Sequence, residues 1–316
     1  MENSVSGCEK GCFLVLGSLN MDMVTRTLRF PSPGETVKGL SFKISPGGKG
    51  ANQAVALARL GAQVKLLGAL GDDVLGSMYL KTLKDESIDT QDIKILKNIS
   101  TGTASIEVSG TGENRIIIVP GANDGIDDSL IAKIREFSDS IKMLLLQLEI
   151  PLEATLKVTR TAASLGIPIV LDPAPAQALP AELYALIDII TPNETEAEIL
   201  TGESTRSEEG IRRAIGTLHL KGAKIVIIKV GAKGAWVSDA RSVTHVTAFS
   251  VDVMDTVAAG DSFNAGLAFA LGNNRNLIEA VRFANATGAL STTKEGAQSA
   301  MPTFSEVERF LKSQAP

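Results

Sequence analysis

Short runs of aliphatic and β-branched residues alternate along this chain with longer stretches whose apolar residues recur at helical spacing. The short runs predict buried strands at residues 13–17, 142–147, 167–171, 187–191 and 224–230. The longer stretches predict helices at residues 49–60, 152–165, 208–220, 258–271 and 276–291. Because this alternation is typical of a parallel sheet with helices on both faces, we expect a three-layer α/β/α fold.

Two regions break this rhythm. Residues 23–45 and 103–120 contain alternating apolar and polar positions joined by glycine-rich turns, a pattern typical of β-hairpins. We therefore expect a small β-sheet, formed from about residues 22–46 and 101–120, that covers one edge of the main domain as a lid. No internal repeat or linker divides the chain, so we expect one main domain over residues 12–316, preceded by a flexible tail at residues 1–11.

Composition and charge exclude several classes of protein. Lys and Arg total 31 against 36 Asp and Glu, and a net charge of -5 leaves no basic surface for nucleic acid. Since neither a bilayer-spanning apolar run nor a leader pattern is present, we expect a cytoplasmic protein that does not bind membranes. The histidines, His219 and His245, and the cysteines, Cys8 and Cys12, are too few for a histidine relay or a tetrahedral metal site.

The segment 255–266 carries the most specific chemical signal. At Ala258, Ala259 and Gly260, small side chains lead directly into a predicted helix, so that main-chain amides at its N-terminus can converge on an anion. Asp261 follows at once. A carboxylate beside an anion site is repulsive unless it accepts the proton of a hydroxyl that attacks the anion, as in phosphoryl transfer. The alternative is that Asp261 only caps the helix.

Two further segments suit a small polar ligand. In residues 46–53, glycines precede a predicted helix on which Lys49 and Asn52 share one face, so that the backbone can approach a small polar ligand. The alternative is a plain left-handed turn. Asn20 and Asp22 follow the first strand with their side chains on one side, where a carboxylate can accept hydrogen bonds from the neighbouring hydroxyls of a sugar. The alternative for this pair is turn formation.

The segment 191–198 places an amide and a carboxylate at the start of another predicted helix. Asn193 and Glu196 lie one turn apart, an arrangement that suits Mg²⁺ held mostly through water. Glu194 and Glu198 fit better as a solvated face that complements the helix dipole.

Together these segments resemble the PfkB family of carbohydrate kinases, from about residue 16 to residue 302. The matching stretches are GSLNMD, PSPGETV, PGGKGANQA, QLEIP, DPAPA, TPNETEAE, DTVAAGDSFNAG and EGAQ. Three of them, GGKGANQA, DPAPA and NETEAE, are similar to the ribokinase branch in particular. The resemblance implies a ribokinase-like fold and the ATP-dependent phosphorylation of D-ribose at its 5-hydroxyl, giving D-ribose 5-phosphate and ADP.

The resemblance also implies which residues form each part of the site. For the sugar it implies Asn20, Asp22, Gly48, Lys49, Gly50, Ala51, Asn52, Glu149 and the base Asp261, with an anion hole at Ala258, Ala259 and Gly260. For the nucleotide it implies Asn193, Lys229, Val230, Gly231, Ala232, Lys233, Gly234, Gly260 and Asn285. Besides Mg²⁺ near Asn193 and Glu196, it implies an activating K⁺ at Asp255, Val257, Ser291, Lys294, Gly296 and Ala300.

Two positions depart from the family pattern. Ala300 stands where a hydroxyl residue is usual, which removes one K⁺ ligand. Lys229 stands where threonine is frequent, and its side chain either reaches a nucleotide phosphate or points into solvent. Three alternatives remain for the function. The first is a kinase for deoxyribose, another pentose or a ketose, and the second is a nucleoside kinase, which the aromatic content of 4% disfavours. The third is a non-catalytic sugar sensor.

Exposed lid edges favour a homodimer through the lid.

Overall fold

The computed structural model describes residues 11–314 of the chain, so the tail predicted at residues 1–11, with Cys8, lies outside the described residues except for Gly11. The strands are β1 (Cys12–Leu16), β2 (Asn20–Thr27), β3 (Gly39–Gly47), β4 (Val64–Gly71), β5 (Ile93–Leu96), β6 (Gly102–Val108), β7 (Asn114–Val119), β8 (Ile141–Leu146), β9 (Ile169–Leu171), β10 (Ile189–Ile190), β11 (Ile225–Lys229), β12 (Ala235–Ser238) and β13 (Val243–Val246). The helices are α1 (Lys49–Arg59), α2 (Val74–Asp85), α3 (Asp128–Phe137), α4 (Leu152–Ser164), α5 (Ala181–Leu186), α6 (Glu194–Thr201), α7 (Glu208–Leu220), α8 (Ala259–Gly272), α9 (Leu277–Ser291) and α10 (Phe304–Ser313).

The main sheet has nine strands in the order β13-β12-β11-β10-β9-β8-β1-β4-β5. Strands β11 to β5 in this order pair in parallel, and β12 and β13 extend one edge in antiparallel pairing. Both faces are covered: Phe13 and Val15 of β1 belong to one hydrophobic cluster, and Leu14 and Leu16 belong to the other. Because successive side chains of a strand point to opposite faces, this division confirms the expected α/β/α arrangement.

The elements with the strongest patterns form as predicted. All five predicted strands and all five predicted helices are present, with ends that differ by at most about two residues, which is within the ordinary uncertainty of element boundaries. None of the helices in residues 11–314 combines the length and the apolar composition that a bilayer crossing requires.

A second sheet, which we call the lid, has four strands in the order β3-β2-β6-β7. The hairpins β2–β3 and β6–β7 are joined by parallel pairing of β2 with β6, so the prediction of one small sheet built from two excursions is confirmed. The predicted boundary at residue 23 is wrong, because β2 begins at Asn20. Asn20 and Asp22 therefore lie on a lid strand and are not part of a turn.

Candidate active site

A cavity of about 810 Å³ opens beside the N-termini of α6 and α8. The residues that border it come from these helix starts, from the ends of β9 and β11, from α9 and from the segment before α8. The carboxyl ends of parallel strands and the starts of the following helices meet at this edge of the sheet, which is where ligands bind in open α/β folds. The position is therefore set by the topology of the sheet.

The start of α8 has the geometry of an anion site. Ala258 precedes the helix with a left-handed backbone, φ 58°, and no side chain caps the helix. A non-glycine residue in this conformation is strained, and such strain is concentrated at functional sites. The amides of the first helical turn lack acceptors within the helix. The Ala259 amide donates to the Thr256 carbonyl and the Ser262 amide to the Ala258 carbonyl, so the amides of Gly260 and Asp261 remain available to an anion. Ala258 itself is the residue before the helix, not its first residue as predicted.

Asp261 is buried, with 4% of its surface exposed, and does not cap α8. Its Oδ2 accepts a hydrogen bond from Asn52 Nδ2 at 2.9 Å, and its Oδ1 accepts one from Gln53 Nε2 at 3.1 Å. The capping interpretation of this residue is therefore wrong. Burial raises the pKa of Asp261 to about 6, although Lys49 and both amide donors favour the ionised form. A carboxylate with this pKa is ionised at neutral pH and can still accept a proton.

The two amides that hold Asp261 are themselves held by glutamines. Gln147 Nε2 donates to Gln53 Oε1 at 2.7 Å, and Gln298 Nε2 donates to Asn52 Oδ1 at 3.2 Å. Both glutamines are buried, so each amide has one orientation in which its N–H faces the carboxylate. Gln53, Gln147 and Gln298 are not among the predicted site residues, although all three lie within the stretches GGKGANQA, QLEIP and EGAQ that carry the resemblance.

The predicted sugar residues from α1, the loop after β8 and the lid come together. Glu149 Oε2 accepts hydrogen bonds from Ser18 Oγ at 2.5 Å and from the Lys49 amide at 3.0 Å. Burial, together with the charge of Glu149, raises the pKa of Asp22 to about 7, while Lys49 opposes the rise. Three carboxylates, from Asp22, Glu149 and Asp261, thus interact electrostatically with one lysine.

The remaining predicted sugar residues fix the backbone around this group. Gly48 has a positive φ of 84° with a ψ of 129°, which is not the left-handed helical conformation of a plain turn. A Cβ there would lie 2.6 Å from the Asn20 amide nitrogen, so the glycine permits a close approach of the two backbones. Asn20 Oδ1 accepts from Asn123 Nδ2 at 2.8 Å. A Cβ on Gly50 would lie 2.5 Å from the Gly17 carbonyl carbon, and the Ala51 amide donates to the Ser18 carbonyl at 3.0 Å. Gly50 and Ala51 therefore hold α1 against β1.

At the start of α6, Asn193 and Glu196 form a capping box. The Asn193 amide donates to Glu196 Oε2 and the Glu196 amide donates to Asn193 Oδ1, each at 2.8 Å. Both residues also border the cavity, as does Glu194. Burial raises the pKa of Glu196, while the nearby Lys229 opposes the rise. Glu198 is half-buried, and its Oε1 also accepts from the Thr205 amide at 2.8 Å and so holds the following loop.

The turn after β11 supplies the rest of the predicted nucleotide side. Gly231, Ala232 and Gly234 border the cavity. Val230 is buried in the hydrophobic core, and Lys233 is exposed outside the cavity lining, so neither side chain is placed to contact a nucleotide there. Asn285 borders the cavity and donates from Nδ2 to the carbonyls of Val246 and Thr247, at 3.0 and 3.2 Å.

Lys229 does not point into solvent. Its Nζ donates to Asp172 Oδ1 at 3.0 Å, and both residues border the cavity. The solvent alternative stated for this residue is therefore wrong.

The predicted K⁺ residues lie on two neighbouring segments. Asp255 Oδ1 accepts from the Val257 amide at 3.0 Å, and Oδ2 accepts from the Gly296 amide at 2.9 Å. Ser291 Oγ donates to the Gly288 carbonyl at 2.8 Å, and Ala300 is buried. Lys294 Nζ pairs with Glu306 at 2.9 Å. Because an ammonium group has no free lone pair, only the main-chain oxygen of Lys294 can act as a ligand.

The available ligand atoms are the Asp255 carboxylate, the Ser291 hydroxyl oxygen and main-chain oxygens, which suit an alkali cation better than a transition metal. Within residues 11–314, no group of three or more His, Cys, Asp or Glu side chains is placed to hold a metal ion.

Comparison with known proteins decides the family. Residues 13–304 match the profile of the pfkB family carbohydrate kinases. The chain belongs to this family. Among pfkB relatives, the ribokinase of Haemophilus influenzae is 43% identical over 298 residues, covering 94% of this chain and 97% of that protein. The deoxyribokinase of Salmonella typhi is 36% identical over 299 residues, with 94% and 97% covered.

A solved pfkB-type structure shares the whole fold. Arabidopsis thaliana ribokinase, complexed with ribose and ATP, has a TM-score of 0.90 and 32% identity, and the match covers 96% of this chain and 99% of that one. The ribokinase-like fold expected from the sequence is thus confirmed, with its main sheet and its lid.

Proposed function

We propose that this protein transfers the γ-phosphoryl group of ATP to the 5-hydroxyl of D-ribose, giving D-ribose 5-phosphate and ADP. The observation that carries the proposal is the carboxylate of Asp261, which lies buried in the first turn of α8. It accepts hydrogen bonds from the side-chain amides of Asn52 and Gln53 on α1. The ribokinase relatives and the ribose- and ATP-bound structure with the same fold support the choice of sugar and nucleotide.

In the proposed reaction the protein aligns the reactants and stabilises charge. Asp261 accepts the proton of the 5-hydroxyl as its oxygen forms a bond to the γ-phosphorus, and the bond from that phosphorus to the β-phosphate oxygen breaks, releasing ADP. Amides at the start of α8, around Gly260, hold the transferring group. Because the base is already oriented by Asn52 and Gln53, little reorganisation is needed during the reaction.

Sugar recognition is assigned to the group between the lid and α1. Asp22 accepts hydrogen bonds from two neighbouring hydroxyls, and Lys49, Asn52 and Glu149 bind the remaining polar atoms. The lid closes over the sugar and excludes water, which would otherwise compete as the phosphoryl acceptor. We place the reaction in the cytoplasm, where ATP is available.

Two cations complete the proposed site. The Glu196 carboxylate already accepts two hydrogen bonds from Asn193, so we assign Mg²⁺ there through water, using the remaining lone pairs. We assign K⁺ to Asp255, Val257, Ser291, Lys294, Gly296 and Ala300, with weakened affinity because Ala300 has no hydroxyl. When bound, Mg²⁺ neutralises phosphate oxygens and K⁺ adds positive potential beside the anion hole.

A substrate panel tests the proposed function. ATP turnover is measured with ribose, 2-deoxyribose, fructose and adenosine, each in K⁺ and in Na⁺. Because a site built to bind a hydroxyl rejects an analogue that lacks it, we expect kcat/KM for ribose to exceed that for 2-deoxyribose by about 10⁴-fold. Equal values would favour the deoxyribose kinase, the second candidate, which the Salmonella relative supports. Ribose that raises Tm without any ADP release would favour a sugar sensor.

We also propose a homodimer formed through the lid. On the lid face opposite Asp22, Phe42 and Ile117 are 61% and 69% exposed, more apolar surface than an isolated sheet normally leaves open.

An Ile117→Lys substitution tests this assembly. We expect it to shift the molar mass in light scattering from dimer to monomer, since it buries a charge at the interface. The matched control is Leu220→Lys, at a residue that is 90% exposed at the end of α7, and it should leave the mass unchanged. A monomeric parent protein, or an unchanged mass for Ile117→Lys, would contradict the proposal.

A further inference from the structure

A second buried ion pair lies on the nucleotide side of the cavity. Lys229, the last residue of β11, places Nζ 3.0 Å from Asp172 Oδ1. The two side chains are 13% and 4% exposed. Removing both charges from water carries a desolvation penalty that their attraction often fails to offset, so a pair of this kind is weak grounds for a role in stability.

The ammonium of Lys229 lies beside the anion hole. A Cβ placed on Gly260 would lie 3.4 Å from Lys229 Nζ. The charge therefore stands next to the first turn of α8, at the edge of the space into which the amides of that turn point. An ammonium has three N–H donors, and the bond to Asp172 uses one of them.

The same pair is connected to the base. Gln53 Nε2 lies 3.2 Å from Asp172 Oδ2 and 3.1 Å from Asp261 Oδ1. Asp172 thus fixes Lys229 on one side and shares the amide that orients Asp261 on the other. Asp172 and Gln53 therefore connect the Lys229 ammonium to the Asp261 carboxylate through hydrogen bonds. In the proposed reaction the transferring phosphoryl group lies between these two charged groups.

We propose that Lys229 is a further catalytic residue, whose ammonium binds the oxygens of the transferring γ-phosphoryl group, and that Asp172 is its positioning residue. This inference rests on the proposed function. The lysine keeps its proton throughout: the bond to the sugar oxygen forms, the bond to the β-phosphate oxygen breaks, and the sugar proton goes to Asp261. The contribution is electrostatic, because negative charge on the equatorial oxygens is met by a fixed cation.

The first test removes the charge with Lys229→Met. We expect kcat to fall by about 10²- to 10³-fold, as expected for loss of a positioned cation, with the KM for ribose within about threefold of the parent value. Lys229→Arg should recover part of kcat. The matched control is Lys224→Met, which removes an exposed lysine, paired with Asp188 at 2.7 Å, from the position just before the start of the same strand.

Nucleotide binding gives a second measurement that needs no turnover, so the inference can fail separately from the proposed function. In calorimetry, Lys229→Met should weaken binding of a non-hydrolysable ATP analogue about tenfold or more and change ADP binding little, because only the analogue carries a γ-phosphate. Asp172→Asn should act in the opposite direction and tighten the analogue, since it removes a negative charge beside that phosphate.

A purely structural ion pair gives a different result. Both variants would then lower Tm and weaken the ATP analogue and ADP equally, and kcat for Lys229→Met would match that of Lys224→Met. Either of these outcomes overturns the assignment. If Lys229→Met does not fold, Asp172→Asn decides alone: a tighter ATP analogue with unchanged ADP binding supports the assignment, and equal weakening of both nucleotides overturns it.

Discussion

An Asp261→Asn variant is expected to lose about 10²- to 10⁴-fold in kcat while still binding ribose, because a general base contributes this much and an amide cannot accept the proton. The new amide also places an N–H group against Asn52 or Gln53, where the carboxylate accepted hydrogen bonds. Neither partner can rotate freely to relieve this contact, since Gln298 and Gln147 hold their oxygens. The loss should therefore lie at the upper end of the range.

The measurement is a coupled ADP assay together with ribose calorimetry. Asp252→Asn is the matched control, because it removes an exposed carboxylate from the segment just before α8. Asp261→Asn should retain the fold and bind ribose within about tenfold of the parent protein, so that the loss appears in kcat. Turnover within tenfold of the control would show that another group accepts the proton.

How far the sequence predicts this molecule depends on how local the information is. A run of apolar residues predicts strand β8, and apolar residues at helical spacing predict helix α7. Both elements form where the pattern places them. The strand β4 and the helices α2 and α3 were not predicted, although they complete the sheet and its covering layers. Composition alone gives no account of which strand pairs with which.

The site shows the same division. Asp261 is visible as a carboxylate in a small-residue segment, and the expectation that it lies at the start of a helix is confirmed. Its partner Asn52 is 209 residues away, and the glutamines behind it belong to other elements. Side-chain amides have no characteristic spacing when they meet only through the fold. The local small-residue segment therefore identifies the base, and three-dimensional packing defines its environment.

Lys229 illustrates how the fold resolves an ambiguity. In the sequence, a lysine at the end of a strand is usually solvated, and nothing nearby indicates a partner. Its partner, Asp172, comes from the end of β9, and β10 lies between β9 and β11 in the sheet. The ends of these parallel strands converge on one edge, so the ion pair follows from strand order.

An Asp22→Asn variant is expected to change ribose affinity and stability in opposite directions. Replacing the carboxylate weakens two charge-assisted hydrogen bonds to the sugar, so the Kd for ribose should rise by about 10²- to 10⁴-fold. Without ribose, the same substitution should stabilise the fold at high pH, because burial and Glu149 raise the pKa of Asp22 from 3.8 to about 7. At about 1.4 kcal/mol per pH unit, the ionised side chain destabilises the native state by on the order of 4 kcal/mol.

The pH dependence follows from the direction of this shift. Below about pH 4 the Asp22 carboxyl is protonated in both the native and the unfolded chain, and it contributes no difference. Between about pH 4 and 7 the unfolded chain releases the proton first, so the free energy of unfolding of the parent protein falls as the pH rises. Asparagine does not titrate, and the Tm of Asp22→Asn should exceed that of the parent at pH 8 and equal it near pH 4.

Calorimetric melting at pH 4, 6 and 8, with and without ribose, measures both effects, and Asp252→Asn again serves as the exposed control. A Tm difference that does not change with pH would mean that Asp22 is solvated in the free protein. Saturating ribose should narrow or reverse the difference at pH 8, because ligand stabilisation grows with the logarithm of the ligand concentration over Kd, and a 10²- to 10⁴-fold lower Kd gives the parent about 3 to 5 kcal/mol more. An ionised Asp22 on the lid strand β2 therefore lowers the stability of the free protein. The same ionised carboxylate is the group that accepts the hydrogen bonds of the sugar hydroxyls, so stability is exchanged for ribose affinity.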